Sequence, residues 1–460
     1  MVGQFILALM ILVTLHEMGH YFPAKWFKTR VEKFYLFFDW PLSLFRGKKI
    51  DGKWEFRSVF NKKPYSQDNP DITEWGIGML PLGGYVKIAG MVDESFDKEQ
   101  LKLPAQPWEF RSKNAIQRLI IMVGGVTVNF FLGMFIFVGL LWYYGEKYIP
   151  TTAVKDGIYV DSLGMKLGLQ TGDKILATGD KPFDKFSDVL VKRAIIFEDA
   201  RTIKVERNGQ EVVLQVPDGT VGEMARFANK DKTLFSIPFP FVIKEFKDDK
   251  SPGKVGGLAP GDRLIALNGI PTPYFQDFKK AIEGKKDITI NITALRGTDT
   301  LQLAIKTNKE GQLEAAPDIE KFITFEREKY SLIQAIPAGF RKGWTTLTDQ
   351  ITAFGHLFSG KIKATESLGG IGSFAQAFGT TWNWEHFWLL TGMISLVLAF
   401  INILPIPILD GGHVMFLFYE IISGRKPSDK FVEIASTIGL ILVGSLFLFS
   451  TGLDVWRGCN

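Results

Sequence analysis

The sequence predicts a polytopic α-helical membrane protein: four transmembrane helices, with two tandem, mainly β domains inserted between the second and the third. Three observations predict this. Apolar runs long enough to cross a hydrocarbon core of about 30 Å occur at about residues 2–22, 116–144, 387–408 and 431–451. Between the second and third runs, over residues 150–325, the chain turns charged and glycine-rich, with short β-type stretches. Within that interval the sequence repeats itself.

Composition narrows the function. The net charge is only +5, and Lys and Arg are interspersed with acids, so no stripe for nucleic acid exists. Cys459 is the single cysteine, which excludes both an intrachain disulfide and a thiolate metal site. A bound metal must therefore use His and carboxylate groups. There are five histidines, at 16, 20, 356, 386 and 413, and two of them share one pentapeptide.

That pentapeptide, His16-Glu17-Met18-Gly19-His20, closes the first apolar run. Positions four apart share a helix face, so two imidazoles can hold one metal while Glu17 reaches a water on it. This is the H-E-x-x-H zinc signature. The run has neither the basic start nor the small-residue cleavage site of a signal peptide, and Pro23 is expected to end the helix. Lys25, Lys28, Arg30 and Lys33 follow and no Lys or Arg precedes, so the positive-inside rule puts residue 25 onward in the cytoplasm.

Residues 76–90 are apolar, β-prone and glycine-broken, which reads as a hairpin of a small sheet. In the second apolar run, glycines permit close helix packing, and Asn129 is a polar group that must find a partner. The repeat matches Gly168-Leu169-Gln170-Thr171-Gly172-Asp173-Lys174-Ile175 with Gly257-Leu258-Ala259-Pro260-Gly261-Asp262-Arg263-Leu264. This pattern resembles PDZ domains of the bacterial protease type, which bind extended peptides by adding a strand to a sheet edge. Residues 330–358 have apolar positions at helical spacing, an amphipathic helix for a membrane surface or for the PDZ-like pair. The third run leads into Asn402-Ile403-Leu404-Pro405-Ile406-Pro407-Ile408-Leu409-Asp410-Gly411-Gly412-His413, and Arg425, Lys426 and Lys430 precede the fourth. That link is basic, hence cytoplasmic.

The expected organisation is helix 1 with the zinc motif (1–23), a cytoplasmic or membrane-dipping β region (24–115) and helix 2 (116–146). PDZ-like domains (150–235 and 236–325), an amphipathic helix with its connection (326–386), helix 3 with the Asp (387–423) and helix 4 (430–452) follow.

With H-E-x-x-H, Pro81-Leu82-Gly83-Gly84-Tyr85-Val86-Lys87, the G-x-x-x-N of Gly125 to Asn129, two PDZ-like copies and the N-x-x-P-x-x-x-L-D-G of Asn402 to Gly411, in this order, the chain resembles the site-2 protease family of intramembrane zinc metalloproteases. The bacterial regulator of sigma-E protease branch is the most similar. The resemblance implies Zn²⁺ as cofactor, His16, His20 and Asp410 as ligands and Glu17 as the catalytic carboxylate. It also implies substrate contacts at Asn402, Asn129, Gly84, Tyr85 and Val86, with residues 76–90 as a loop dipping towards the site. Two departures stand out: a long interval between His20 and Pro81, and Val126 where the family commonly has proline.

Asp410 has independent support. Helices 1 and 3 run in one direction, and each carries its polar motif at the cytoplasmic end of an apolar run, so the three ligands share a depth. Two imidazoles and a carboxylate leave a fourth position for water, as a catalytic zinc requires. His413, three residues on, remains an alternative ligand.

The expected function is an intramembrane zinc metalloprotease of a bacterial inner membrane, with its active site near the cytoplasmic side and its PDZ-like domains outside the cytoplasm. Its partners are the lipid bilayer and single-span substrates of the anti-sigma factor or signal-peptide-remnant type, cut within or beside their membrane segments. A zinc peptidase acting on soluble peptides and a non-catalytic membrane PDZ scaffold are the competing classes.

Overall fold

Helix α1 (Val2–Trp26) carries the first apolar run one turn beyond the expected stop. Pro23 sits inside its last turn, where it lacks the N–H that would bond back to Gly19. The computed structural model describes residues 1–61, 63–67, 69–81, 83–91 and 104–459. They form two units: Met1–Gly145 with Lys329–Gly355 and Leu368–Asn460, and Glu146–Glu328 with His356–Ser367.

In the first unit α1 is followed by strands β1 (Val31–Leu36), β2 (Phe38–Ile50), β3 (Lys53–Ser58), β4 (Glu74–Leu80) and β5 (Tyr85–Ile88), then by helix α2 (Ala115–Tyr143). The strands make one sheet in the order β3-β2-β4-β1-β5, so β5 is an edge strand. β1 pairs parallel to β4 and antiparallel to β5, with Tyr35 opposite Tyr85 and Lys33 opposite Lys87. The long interval after His20 supplies β2 and β3, paired from Phe45–Ser58 to Ile50–Lys53. Leu82 lies outside the described residues.

Among the described residues, four helices are long and apolar enough to cross a membrane: Val2–Trp26, Ala115–Tyr143, Trp384–Ile403 and Lys430–Gly458. α2 begins where Asn114 and Gln117 form a capping box. α1 and α2 cross where Gly19 meets Gly124: a Cβ on Gly19 would lie 2.5 Å from the Gly124 carbonyl oxygen.

The expectation of one helix over 387–423 is not met. The chain forms α4 (Trp384–Ile403) and α5 (Asp410–Ser423), following α3 (Leu332–Phe358) and preceding α6 (Asp429–Cys459). Pro405 and Pro407 cause the break, because proline lacks an N–H and bars its predecessor from helical geometry. Leu404 is accordingly extended. Ile408 has φ 89°, a conformation that costs a β-branched residue on the order of 1–3 kcal/mol. Tight packing holds the turn: a Cβ on Gly412 would meet the Ile406 carbonyl oxygen at 2.5 Å, and Gly439 of α6 abuts the Pro407 carbonyl.

α3 was expected on a membrane surface or against the PDZ-like pair. Its stripe Ala335, Gly339 and Gly343 packs on α2, with Gly339 against Val138 and Gly343 against Met134, and near its end His356 Nε2 lies 2.7 Å from the Ile196 carbonyl of the first β domain. Small residues every four positions let the backbones of α3 and α2 approach. One buried cluster ties the sheet edge to three helices: Ala24, Val31, Ile88, Ile121, Met122, Val414 and Leu417. Where such burial displaces water, each large side chain contributes about 1.5–3 kcal/mol.

The second unit contains two β domains with separate cores, one around Ile158, Leu163, Ile175 and Ile203 and one around Phe241, Leu264, Ile290 and Ile305. The internal repeat extends to a shared ion pair. Arg207 Nε bonds Asp173 Oδ1 at 2.8 Å and its Nη2 bonds the Gly168 carbonyl at 2.8 Å. Arg296 does the same with Asp262 at 2.8 Å and Gly257 at 2.8 Å. In each domain a late strand returns to pair with the first: Phe235–Ser236 with Tyr159–Val160, and Ala315–Pro317 with Phe241–Phe246.

Candidate active site

One helical turn brings the His16 and His20 rings face to edge, their Nε2 atoms 3.4 Å apart. Asp410, the first residue of α5, reaches them from the far end of the chain. Its Oδ2 lies 3.3 Å from His16 Nε2 and 3.4 Å from His20 Nε2. Three donors at this spacing define the edge of a tetrahedron whose centre is about 2.0–2.1 Å from each vertex, the bond length of zinc to nitrogen and oxygen. Among the described residues, no other group of His, Cys, Asp and Glu converges in this way. Asp410 Oδ2 is buried and receives no hydrogen bond, so its charge is available to a cation.

The neighbours prepare the rings. His20 Nδ1 lies 2.8 Å from the Ile121 carbonyl oxygen, which keeps its proton there and leaves the Nε2 lone pair on the side of His16 and Asp410. Gly125, one turn further along α2, is the floor beneath both imidazoles: a Cβ there would stand 2.7 Å from His16 Cε1 and collide with His20 Nε2. A further turn along is Asn129, whose Nδ2 is 3.2 Å from His16 Nδ1. Asn129 was expected among the substrate contacts. It is 1% exposed and sits behind His16, because the α1–α2 crossing turns this face of α2 towards the histidines. Among the residues that line the cavity in front it does not appear.

That cavity, about 630 Å³, is bordered by His16, Glu17, His20 and Asp410, by Gly84 to Ile88 of the β5 edge, and by Asn402, His413 and Ser436. Asn402, Gly84, Tyr85 and Val86 thus stand where a substrate can touch them. His413 faces the same space but is not one of the converging donors. Gly84 packs against Val13 and the Glu17 side chain, and the Val86 N–H is directed at the Glu17 carboxylate. Lys33 and Lys87 also line the cavity, but each is paired, with Asp39 at 3.2 Å and Glu32 at 3.2 Å. Tyr85 stacks on Tyr35, and burial followed by the nearby Asp39 carboxylate pushes its hydroxyl above the ordinary range, keeping it a neutral donor.

Comparison with known proteins identifies the family. The family model described as peptidase family M50 matches residues 4–446. The chain belongs to peptidase family M50. Its relatives include a candidate zinc metalloprotease of Neisseria meningitidis, 26% identical with 98% of each chain covered. A regulator of sigma E protease of Haemophilus influenzae is 25% identical, covering 99% of this chain and 98% of the relative. Protease RseP of Yersinia pestis is 26% identical over 97% of each.

In this M50 peptidase, sequence reasoning named the converging donors, and it named the Gly125–Asn129 motif and Asn129 as a group in need of a partner, but not Ile121 or what this face of α2 supports. Ile121, Gly125 and Asn129 recur every four residues on α2, and that spacing is the signal that marks them as one face. The strained Ile408 carries no such signal, since positive φ in a β-branched residue is not readable from sequence.

Proposed function

We propose that this multi-pass membrane M50 peptidase hydrolyses peptide bonds within or next to the membrane segments of single-span proteins, with His16, His20 and Asp410 holding zinc. Zinc is the cofactor of the enzyme, and when bound it polarises the scissile carbonyl and lowers the pKa of its water towards about 7. Glu17 takes a proton from the attacking water and returns it to the leaving amine. The Val86 N–H steadies the carboxylate for that exchange. Asn402, from α4, faces the same cavity and is suited to donate to the substrate carbonyl.

One observation carries the reading: three donors at tetrahedral spacing open onto a cavity walled by β5, the edge strand of the sheet among the described residues. A helical substrate must unwind to be cut, and an open edge in a helical membrane protein holds an extended segment by main-chain bonds. Relatives bear the name regulator of sigma E protease, and in this reading the substrates are of the anti-sigma-factor or signal-peptide-remnant type in a bacterial inner membrane. The β domains at 150–235 and 236–325 act as PDZ modules outside the cytoplasm, docking or gating substrate, while the site lies near the cytoplasmic side.

The test is zinc content of the purified protein measured together with cleavage of a single-span substrate in proteoliposomes. One zinc per chain and preference for the embedded substrate over casein are expected. Equal cleavage of casein would make it a general peptidase, and full function without zinc would make it a scaffold.

A further inference from the structure

His16 and His20 are served by one face of α2. The Ile121 carbonyl takes the His20 Nδ1 proton at 2.8 Å, Gly125 leaves room for both rings, and Asn129 meets His16 Nδ1 at 3.2 Å. The first of these partners is an obligate acceptor. The last is an amide, which can present either a donor or an acceptor.

A neutral imidazole has one proton. If Nε2 of His16 gives its lone pair to zinc, that proton sits on Nδ1, which must then find an acceptor. Asn129 Oδ1 is a buried acceptor with no partner, on a residue only 1% exposed. A half-turn of the amide about its Cβ–Cγ bond exchanges Nδ2 for Oδ1 beside His16. The backbone that carries it is held: Ser395 Oγ of α4, itself fully buried, donates to the Asn129 carbonyl at 2.7 Å.

We infer that Asn129 is a positioning residue for the metal centre, its amide oxygen accepting the Nδ1 proton of His16 so that Nε2 is aimed at zinc. This rests on the reading of His16 as a ligand. Asn129 touches neither substrate nor metal, and its effect passes through the imidazole.

The experiment is zinc affinity of the detergent-solubilised full chain, measured by competition with a chelating dye. Asn129→Leu keeps the volume and removes the acceptor, so affinity should fall by about 10- to 100-fold. Asn129→Asp keeps an acceptor and should bind at least as tightly as the unmodified protein. A merely structural role gives the reverse order, since a buried carboxylate is harder to accommodate than leucine. Equal losses in both variants, or no loss in either, overturn the inference. His16→Ala separates it from the reading beneath: if that variant keeps full affinity, His16 is not a ligand and the reading itself falls. Nitrogen-15 spectra of histidine-labelled, unmodified protein provide a check without mutation. On zinc loading two rings should keep protonated Nδ1 while their Nε2 signals move, and a ring bound through Nδ1 overturns the proposal.

Discussion

His16 Nε2 and Asp410 Oδ2 stand 3.3 Å apart although they come from α1 and α5, at opposite ends of the chain. The pair converges because α5 starts at Asp410, after a turn that points its first residue back at α1. Asp410→Asn exchanges a charged ligand for a neutral one beside a dication, so zinc should be lost to a mild chelator. His413→Ala should retain it, since His413 is outside the converging set. The opposite pattern in metal analysis after chelation would make His413 the third ligand.

Glu17→Gln preserves volume and removes the proton acceptor. Zinc stoichiometry should be unchanged while cleavage falls by about 10²- to 10⁴-fold. Near-normal turnover would take Glu17 out of the chemistry.

Gly125→Ala places a methyl group 2.7 Å from His16 Cε1 and 2.9 Å from His16 Nδ1. Neither ring can yield without leaving the triangle, so zinc affinity should fall at least about tenfold. Insertion and α-helical content should stay normal. Gly139→Ala, on the same helix with open space around it, is the matched control.

Proline along β5 should discriminate by position. Val86 turns its N–H away from β1 and towards Glu17, so its carbonyl faces outward too, while Tyr85 and Lys87 face Tyr35 and Lys33. Val86→Pro should fold and hold zinc yet lose cleavage. Tyr85→Pro or Lys87→Pro removes a ladder bond worth about 0.5–1.5 kcal/mol and disturbs the sheet as well. Proteolytic sensitivity of the sheet, read beside activity and zinc, distinguishes the two classes. Indifference at all three positions would deny β5 a part in holding substrate.

If the paired β domains filter by size, substrates with long folded ectodomains should be cut more slowly than truncated ones. Deleting residues 151–325 should then equalise the rates. Equal rates in the intact enzyme would leave the domains as docking modules.

How far the sequence could be read follows from the range of each interaction. His16, Glu17 and His20 were legible because their geometry is set within one helical turn. The Gly168–Asp173 and Gly257–Asp262 repeat was legible as a pattern, but Arg207 and Arg296, which close each copy, lie a strand pair away and were not. The helix break before Asp410 was written in Pro405 and Pro407. The expectation of one helix over 387–423 followed apolar content and passed over the break, because hydropathy does not register a missing N–H.

Apolar length, H-E-x-x-H spacing and residue chemistry by themselves determined that the chain has four membrane-grade helices and a metal-competent α1. Only the tertiary structure decided that Asn129 Nδ2 stands 3.2 Å from His16 Nδ1 and that Val86 is the outward residue of β5. The reason is physical. A side chain's partner depends on how two helices cross, here at Gly19 and Gly124, and a strand's parity depends on which neighbour it pairs with. Tyr85, Val86, Lys87 and Ile88 alternate polar with apolar residues, which can mark the two faces of a sheet but not the edge to which each backbone N–H and C=O points, so the pairing with β1 sets which backbone groups look into the cavity.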